Sequence, residues 1–92
     1  IRRYFKMKKK SKVTFLFDEK NDWIKNFLYK SFKKKSRRYL FKIESNFKKI
    51  KNQNIVFILN YTKILPKSFL LKNNLNLVVH TSALPKGKGF AP

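Results

Sequence analysis

Four short apolar runs, each bounded by polar or turn-forming residues, set the rhythm of this chain. Val13-Thr14-Phe15-Leu16-Phe17 is rich in β-branched and aromatic residues and stops at Asp18 to Asp22, which predicts a first strand. Trp23, Ile24, Phe27 and Leu28 then recur at helical spacing, with Lys25, Asn26 and Lys30 off their face. That spacing predicts a helix covering the sheet, with Trp23 and Phe27 as core rather than as stacking surfaces. Asp22 or Asn21 can cap it. Lys33 to Lys35, Arg37 and Arg38 mark its end, where cations complement the negative helix terminus. Tyr39 to Ile43 predicts a second strand, and Ser45 or Asn46 starts a weak helix through Phe47 and Ile50 before a turn at Asn52-Gln53-Asn54. Ile55 to Leu59 is the clearest strand, with Asn60-Tyr61-Thr62 at its carboxyl end. Pro66 suits the first turn of a short helix whose Phe69 and Leu70 pack inward, and Asn73-Asn74 ends it. Leu75, Leu77, Val78 and Val79 are nearly continuous and β-branched, which predicts a strand buried on both faces of a parallel sheet.

Strands alternating with helical segments in this way specify the α/β class, a parallel, wound, Rossmann-like sheet of about four strands with right-handed crossovers. No internal repeat or low-complexity linker interrupts it. His80 falls at the carboxyl end of the last strand. Ligands of open α/β sheets collect in the crevice outside the carboxyl ends, so this position suits a working histidine as well as one that merely caps a strand. The loop that follows carries Pro85, Gly87, Gly89 and Pro92, which fix the backbone at some points and free it at others. Asp18, at the end of the first strand, either faces the same crevice or serves as a turn residue.

His80-Thr81-Ser82-Ala83-Leu84-Pro85, followed by Lys86-Gly87-Lys88-Gly89, resembles the His-x-Ser-x-Leu-Pro signature of formyltransferases that use 10-formyltetrahydrofolate. The enzymes acting on methionyl-tRNA and on glycinamide ribonucleotide carry it. Upstream, Ile55 to Tyr61 and Ile64-Leu65-Pro66-Lys67 resemble the strand, turn and helix start that precede the signature, so the likeness spans roughly the last forty residues. The form VVH-x-S-x-LP-x-G-x-G is similar to that of the branch formylating amino sugars.

The resemblance implies an N-terminal domain of this family, moving a formyl group from 10-formyltetrahydrofolate to a primary amine. A nucleotide-linked amino sugar is favoured over methionyl-tRNA as the small-molecule or tRNA partner. It implies His80 as the catalytic residue supporting the negative oxygen, and Tyr61, Ser82, Leu84 and Pro85 as the folate wall. Gly87, Lys88 and Gly89 would lie beside the substrate, Lys88 meeting its phosphate. In the family an aspartate from a later strand supports the histidine. One position departs from the pattern: the asparagine expected two residues before the histidine is Val78, and Asn76 stands a further two residues back, about 7 Å away by strand rise. That places the usual oxyanion arrangement in question.

Composition narrows the alternatives. Ile1 to Lys12 reads as a basic, disordered lead and residues 13–92 as a partial formyltransferase-like domain. A start at Ile1, a single methionine at Met7 and a stop inside a loop at Pro92 lead to the expectation of a fragment, inactive by itself. Its missing partner would be the C-terminal portion of the same protein. The absence of cysteine excludes disulfides and thiolate chemistry and fits a reducing, cytoplasmic compartment. One histidine and few carboxylates leave no plausible zinc cluster. No apolar run approaches the roughly 20 residues of a membrane span, so no membrane partner is expected. The formal charge of +20 opens a second reading, a basic nucleic-acid-binding module. The excess is mostly lysine spread along the chain, which also fits solvated faces. A third reading is a non-catalytic relic of the family.

Overall fold

A computed structural model describes residues 9–32 and 35–80. Its frame is an all-parallel sheet of β1 (Ser11–Phe17), β2 (Tyr39–Glu44), β3 (Ile55–Leu59) and β4 (Leu75–Val79). The strands lie in the order β2-β1-β3-β4. The connections run through α1 (Asp22–Ser31), a 3-10 turn (Phe47–Lys49) and α2 (Lys67–Leu70). The first connection steps one way across the sheet and the next two step back. A common crossover hand therefore requires α1 on one face and the other two segments on the opposite face. Packing follows that division: Ile24 and Leu28 of α1 meet Phe17 and Leu59, whereas Ile50 and Phe69 meet Leu16, Val56 and Ile58. This is the Rossmann-like α/β arrangement that the alternating pattern predicts.

β1 is central because its residues can be hidden on both sides. Thr14 and Leu16 on one face and Phe17 on the other are all buried, as is Val13. On the α1 face, Phe15 stacks between Phe41 and Phe57 with centroids 6.0 and 5.3 Å away, and Phe32 closes over it at 4.7 Å. Offset aromatic packing of this kind adds to the area buried. Removing a side chain such as Leu16, which has no exposed surface, typically costs about 2–5 kcal/mol. α1 is held through Ile24 and Leu28, one helical turn apart, with Asp22 in its first turn and Lys30 in its last to complement the dipole. Asn21 occupies the N-cap position without a side-chain cap bond.

Four expectations need correction. Trp23 and Phe27 are not core but 52% and 60% exposed. Each precedes a buried residue by one position, a rotation of about 100° on a helix, which turns both rings off the stripe that meets the sheet. β4 is not buried on both faces: Leu77 is 38% and Val78 63% exposed. An apolar run identifies a strand but not its place in the strand order, and β4 lies at the edge. β1 begins at Ser11, inside the stretch read as a basic lead, because Ser11 and Lys12 pair with Tyr39 and Leu40. The weak helix after β2 is only the 3-10 turn, with the Asn46 side chain accepting from Lys48 N at 3.0 Å.

A polar clamp sets the amino ends of the strands. Asn54 exchanges bonds with Lys12: its Oδ1 accepts from Lys12 N at 2.7 Å and its N–H donates to Lys12 O at 2.9 Å. Asn54 O also accepts from Leu75 N at 3.1 Å, so one residue fixes β3 against both neighbours. Gln53 N–H donates to Asn73 Oδ1 at 3.1 Å, and Asn73 Nδ2 donates to Phe69 O at 3.2 Å, tying the turn to the end of α2. Asn52 supplies the left-handed bend, φ 57°, which asparagine tolerates better than most residues. The Thr14 hydroxyl, fully buried, donates to Gln53 Oε1 at 2.8 Å.

Gln53→Ala strands that hydroxyl in the core and is expected to destabilise the fold by about 1–3 kcal/mol. Adding Thr14→Val removes the orphaned donor, so the double variant should be more stable than Gln53→Ala alone. Urea unfolding of the four-protein cycle checks this; additive effects would show that the bond carries no coupling energy.

Candidate functional site

The strand register lines up one rim of the sheet. Phe17 pairs with Leu59 and Leu59 with Val79, so Asp18, Asn60 and His80 are the next residues at the carboxyl ends of β1, β3 and β4. With strands about 4.8 Å apart, the ends of β1 and β4 stand on the order of 10 Å from each other. The chain leaves β1 toward β2 on one side, and β3 lies on the other. The gap between β1 and β3 is thus the topological switch point, where open α/β sheets bind ligands.

Asp18 and Thr62 meet across this gap, the Thr62 hydroxyl donating to Asp18 Oδ2. That bond is the main reason the Asp18 carboxyl is held below its ordinary value of 3.8, slight burial acting against it. Asn60 adopts φ 46° and its N–H donates to Val79 O at 3.4 Å, which extends the β3–β4 pairing by one residue. The bend sends Tyr61 back over the end of β1, where its hydroxyl donates to Ser45 O at 2.8 Å. Its ring packs on the Leu16 cluster. Burial pushes the phenol above its ordinary value of 10.0, so Tyr61 stays a protonated donor at neutral pH.

Beside Tyr61 opens a cleft of about 420 Å³. The Phe47 and Tyr61 rings supply its apolar part, and Lys48, Lys63, Glu19 and Asn46 its polar part. Two cations and a pair of rings suit a ligand that is both flat and anionic. His80 is exposed and directly follows β4, on the same rim but outside the lining of this cleft.

Of the residues singled out from the sequence, Tyr61 and His80 are therefore brought to the ends of neighbouring strands. Ser82, Leu84, Pro85, Gly87, Lys88 and Gly89 lie outside the described residues. Val78, two residues before His80, is exposed. Asn76 is committed elsewhere: its Nδ2 donates to Leu70 O at 2.9 Å and its Oδ1 accepts from Asn73 at 3.3 Å, which holds the end of α2. Thr62, Lys48 and Lys63 were not anticipated. Thr62 and Lys63 follow the end of β3 at the switch point, which only the strand order reveals, whereas Lys48 comes from the 3-10 turn after the edge strand β2 and no sequence signal singles it out.

Among the described residues, no three His, Cys, Asp or Glu side chains converge in a way that could hold a metal ion. No helix among them is long and apolar enough to cross a membrane. No family model, curated protein or solved structure matches the chain.

Thr62→Val removes the donor that stabilises the Asp18 carboxylate, so the Asp18 pKa should rise toward its ordinary value, as read by an NMR titration of its side-chain carboxyl. Because the folded-state pKa is depressed, the associated stability is present above the unfolded value and is lost as pH falls through the folded one. The stability gap between the wild-type and variant proteins should accordingly be present at neutral pH and close in acid. A gap that persists unchanged in strong acid would assign it to packing instead.

Proposed function

We propose that this chain is the N-terminal part of a formyltransferase that moves a formyl group from 10-formyltetrahydrofolate to a primary amine. The observation that carries the reading is the placement of Tyr61 and His80 at the ends of adjacent parallel strands whose last residues, Leu59 and Val79, are paired. In the sequence these two residues sit in the segments that resemble the family. Pro66, from the Ile64-Leu65-Pro66-Lys67 stretch, stands at the start of α2 with φ −71°, as that resemblance implies.

In the proposed reaction a bond forms between the amine nitrogen and the formyl carbon while the bond from that carbon to the folate N10 breaks. Negative charge develops on the carbonyl oxygen, and the amine loses a proton that the departing N10 gains. His80 holds the charge on the oxygen and relays the proton, two tasks open to an imidazole exposed on the rim. Tyr61, fixed by Ser45 O, gives the folate a wall, and the resemblance assigns Ser82, Leu84 and Pro85 to the same role. Lys48 and Lys63 offer cations to the phosphates of the substrate, and the VVH-x-S-x-LP-x-G-x-G form favours a nucleotide-linked amino sugar over methionyl-tRNA. The resemblance assigns Gly87, Lys88 and Gly89 to substrate binding. The supporting aspartate is assigned to a later strand of the same protein, and a folate donor with a cysteine-free chain fits the cytoplasm.

His80 is the only histidine, so the proton on its Cε1 gives one unambiguous NMR signal. Titration of the chain with 5-formyltetrahydrofolate, a stable analogue of the donor, should shift that signal saturably together with the Tyr61 ring. In the gene product that carries these residues, His80→Ala should lower formyl transfer by at least about 100-fold while leaving the circular dichroism spectrum unchanged. Near-normal turnover of the variant would remove His80 from the mechanism.

A further inference from the structure

The four carboxylates of the chain are not scattered. Asp18 and Glu19 follow β1, Glu44 ends β2 and Asp22 opens α1, so every acidic side chain belongs to the carboxyl side of the sheet. The amino side has cations and no acid to offset them. Lys10, Lys12, Lys35, Arg37 and Arg38 are all exposed there, around the start of β2.

This end of the sheet also has a shaped surface. A groove of about 300 Å³ runs along the β2 edge, lined by Lys10, Phe32, Lys35, Tyr39, Leu40 and Phe41. Tyr39 is 42% exposed and its ring rests 5.7 Å from Phe41, which lies 4.5 Å from Phe32. Packed rings thus back the exposed one. The Ser36 hydroxyl accepts from the N–H groups of Arg38 and Tyr39, each at 3.1 Å, and Arg38 O accepts from Ser11 N at 2.9 Å. The backbone that carries the arginine pair is anchored to the sheet even though both side chains reach solvent.

We infer that this groove binds single-stranded nucleic acid, with the phosphates on Lys10, Lys35, Arg37 and Arg38 and an unstacked base against Tyr39. A basic track beside an exposed, braced aromatic ring is what sequence-tolerant recognition of single strands requires. Duplexes keep their bases stacked and would leave Tyr39 unused. An acidic peptide would satisfy the cations but would have no claim on the ring. The groove lies a strand length, about 20 Å, from the carboxyl rim. It is independent of the proposed formyl transfer and stands or falls separately from it.

The test is fluorescence anisotropy on the full chain with 12-nucleotide oligo(U) and oligo(dT), a duplex of equal length and poly-glutamate, over a range of salt. Both single strands should bind, more weakly as salt rises, and about tenfold more tightly than the duplex. K35Q/R37Q/R38Q should weaken binding by at least tenfold and flatten the salt dependence, whereas K51Q/K67Q/K72Q, equal in charge but near α2, should weaken it by less than about threefold. Tyr39→Leu, which keeps an apolar side chain at the strand start, should cost about tenfold on single strands and leave the duplex unaffected. Circular dichroism confirms that each variant is folded. Equal losses from the two triple variants, equal or tighter binding of the duplex, or poly-glutamate binding as tightly as the oligonucleotides would each overturn the inference.

Discussion

The reciprocal hydrogen bonds between Asn54 and Lys12 are the constraint on which the sheet depends. A parallel ladder has no hairpin to fix its register, and a slip of one residue would exchange the two faces of β3. Val56 and Ile58 would then meet α1, and Phe57 would leave the ring stack with Phe15. By binding the residue just before the β1–β3 ladder begins, Asn54 selects the alignment that pairs Val13 with Ile55 and, at the other end, Phe17 with Leu59. The same residue meets Leu75 at the start of β4, so the alignment passes to the third strand. The level rim formed by Asp18, Asn60 and His80 is a remote result of a polar turn at the opposite end of the sheet.

Much of this architecture was legible because the local patterns agree with one another. The runs at Val13 to Phe17 and Ile55 to Leu59 read as strands and are the two central ones, where dense burial makes the signal strongest. What the pattern does not encode is lateral position. Leu75 to Val79 is apolar except at Asn76, and β3 is apolar throughout, yet one strand has neighbours on both sides and the other does not. Within α1, the same limitation applies by rotation: Trp23 and Phe27 satisfy helical spacing as well as Ile24 and Leu28 do, and only the direction of approach of the sheet separates them.

The rim was legible in part. A strand-end histidine and a strand-end tyrosine can be recognised from residues in sequence order. The Asp18–Thr62 bond joins residues separated by two strands and both connections between them, and no spacing along the chain announces it. The same holds for the segregation of acids to one end of the sheet. In linear order the carboxylates sit among lysines and look unremarkable; strand polarity sorts them. A net charge read from composition is a single number, whereas the folded molecule has a direction.

That charge has a consequence for the outer margin of β4. Leu75-Asn76-Leu77-Val78-Val79 holds no lysine, proline or bulge to discourage a partner, and among the described residues no further strand lies beside it. Such margins template pairing between molecules. Long-range repulsion between highly cationic copies opposes their approach, and it weakens as counterions shorten the screening distance. Colloidal behaviour should therefore invert the common rule for basic proteins: added electrolyte, or a polyanion that neutralises the lysines, would promote coalescence through β4 instead of preventing it.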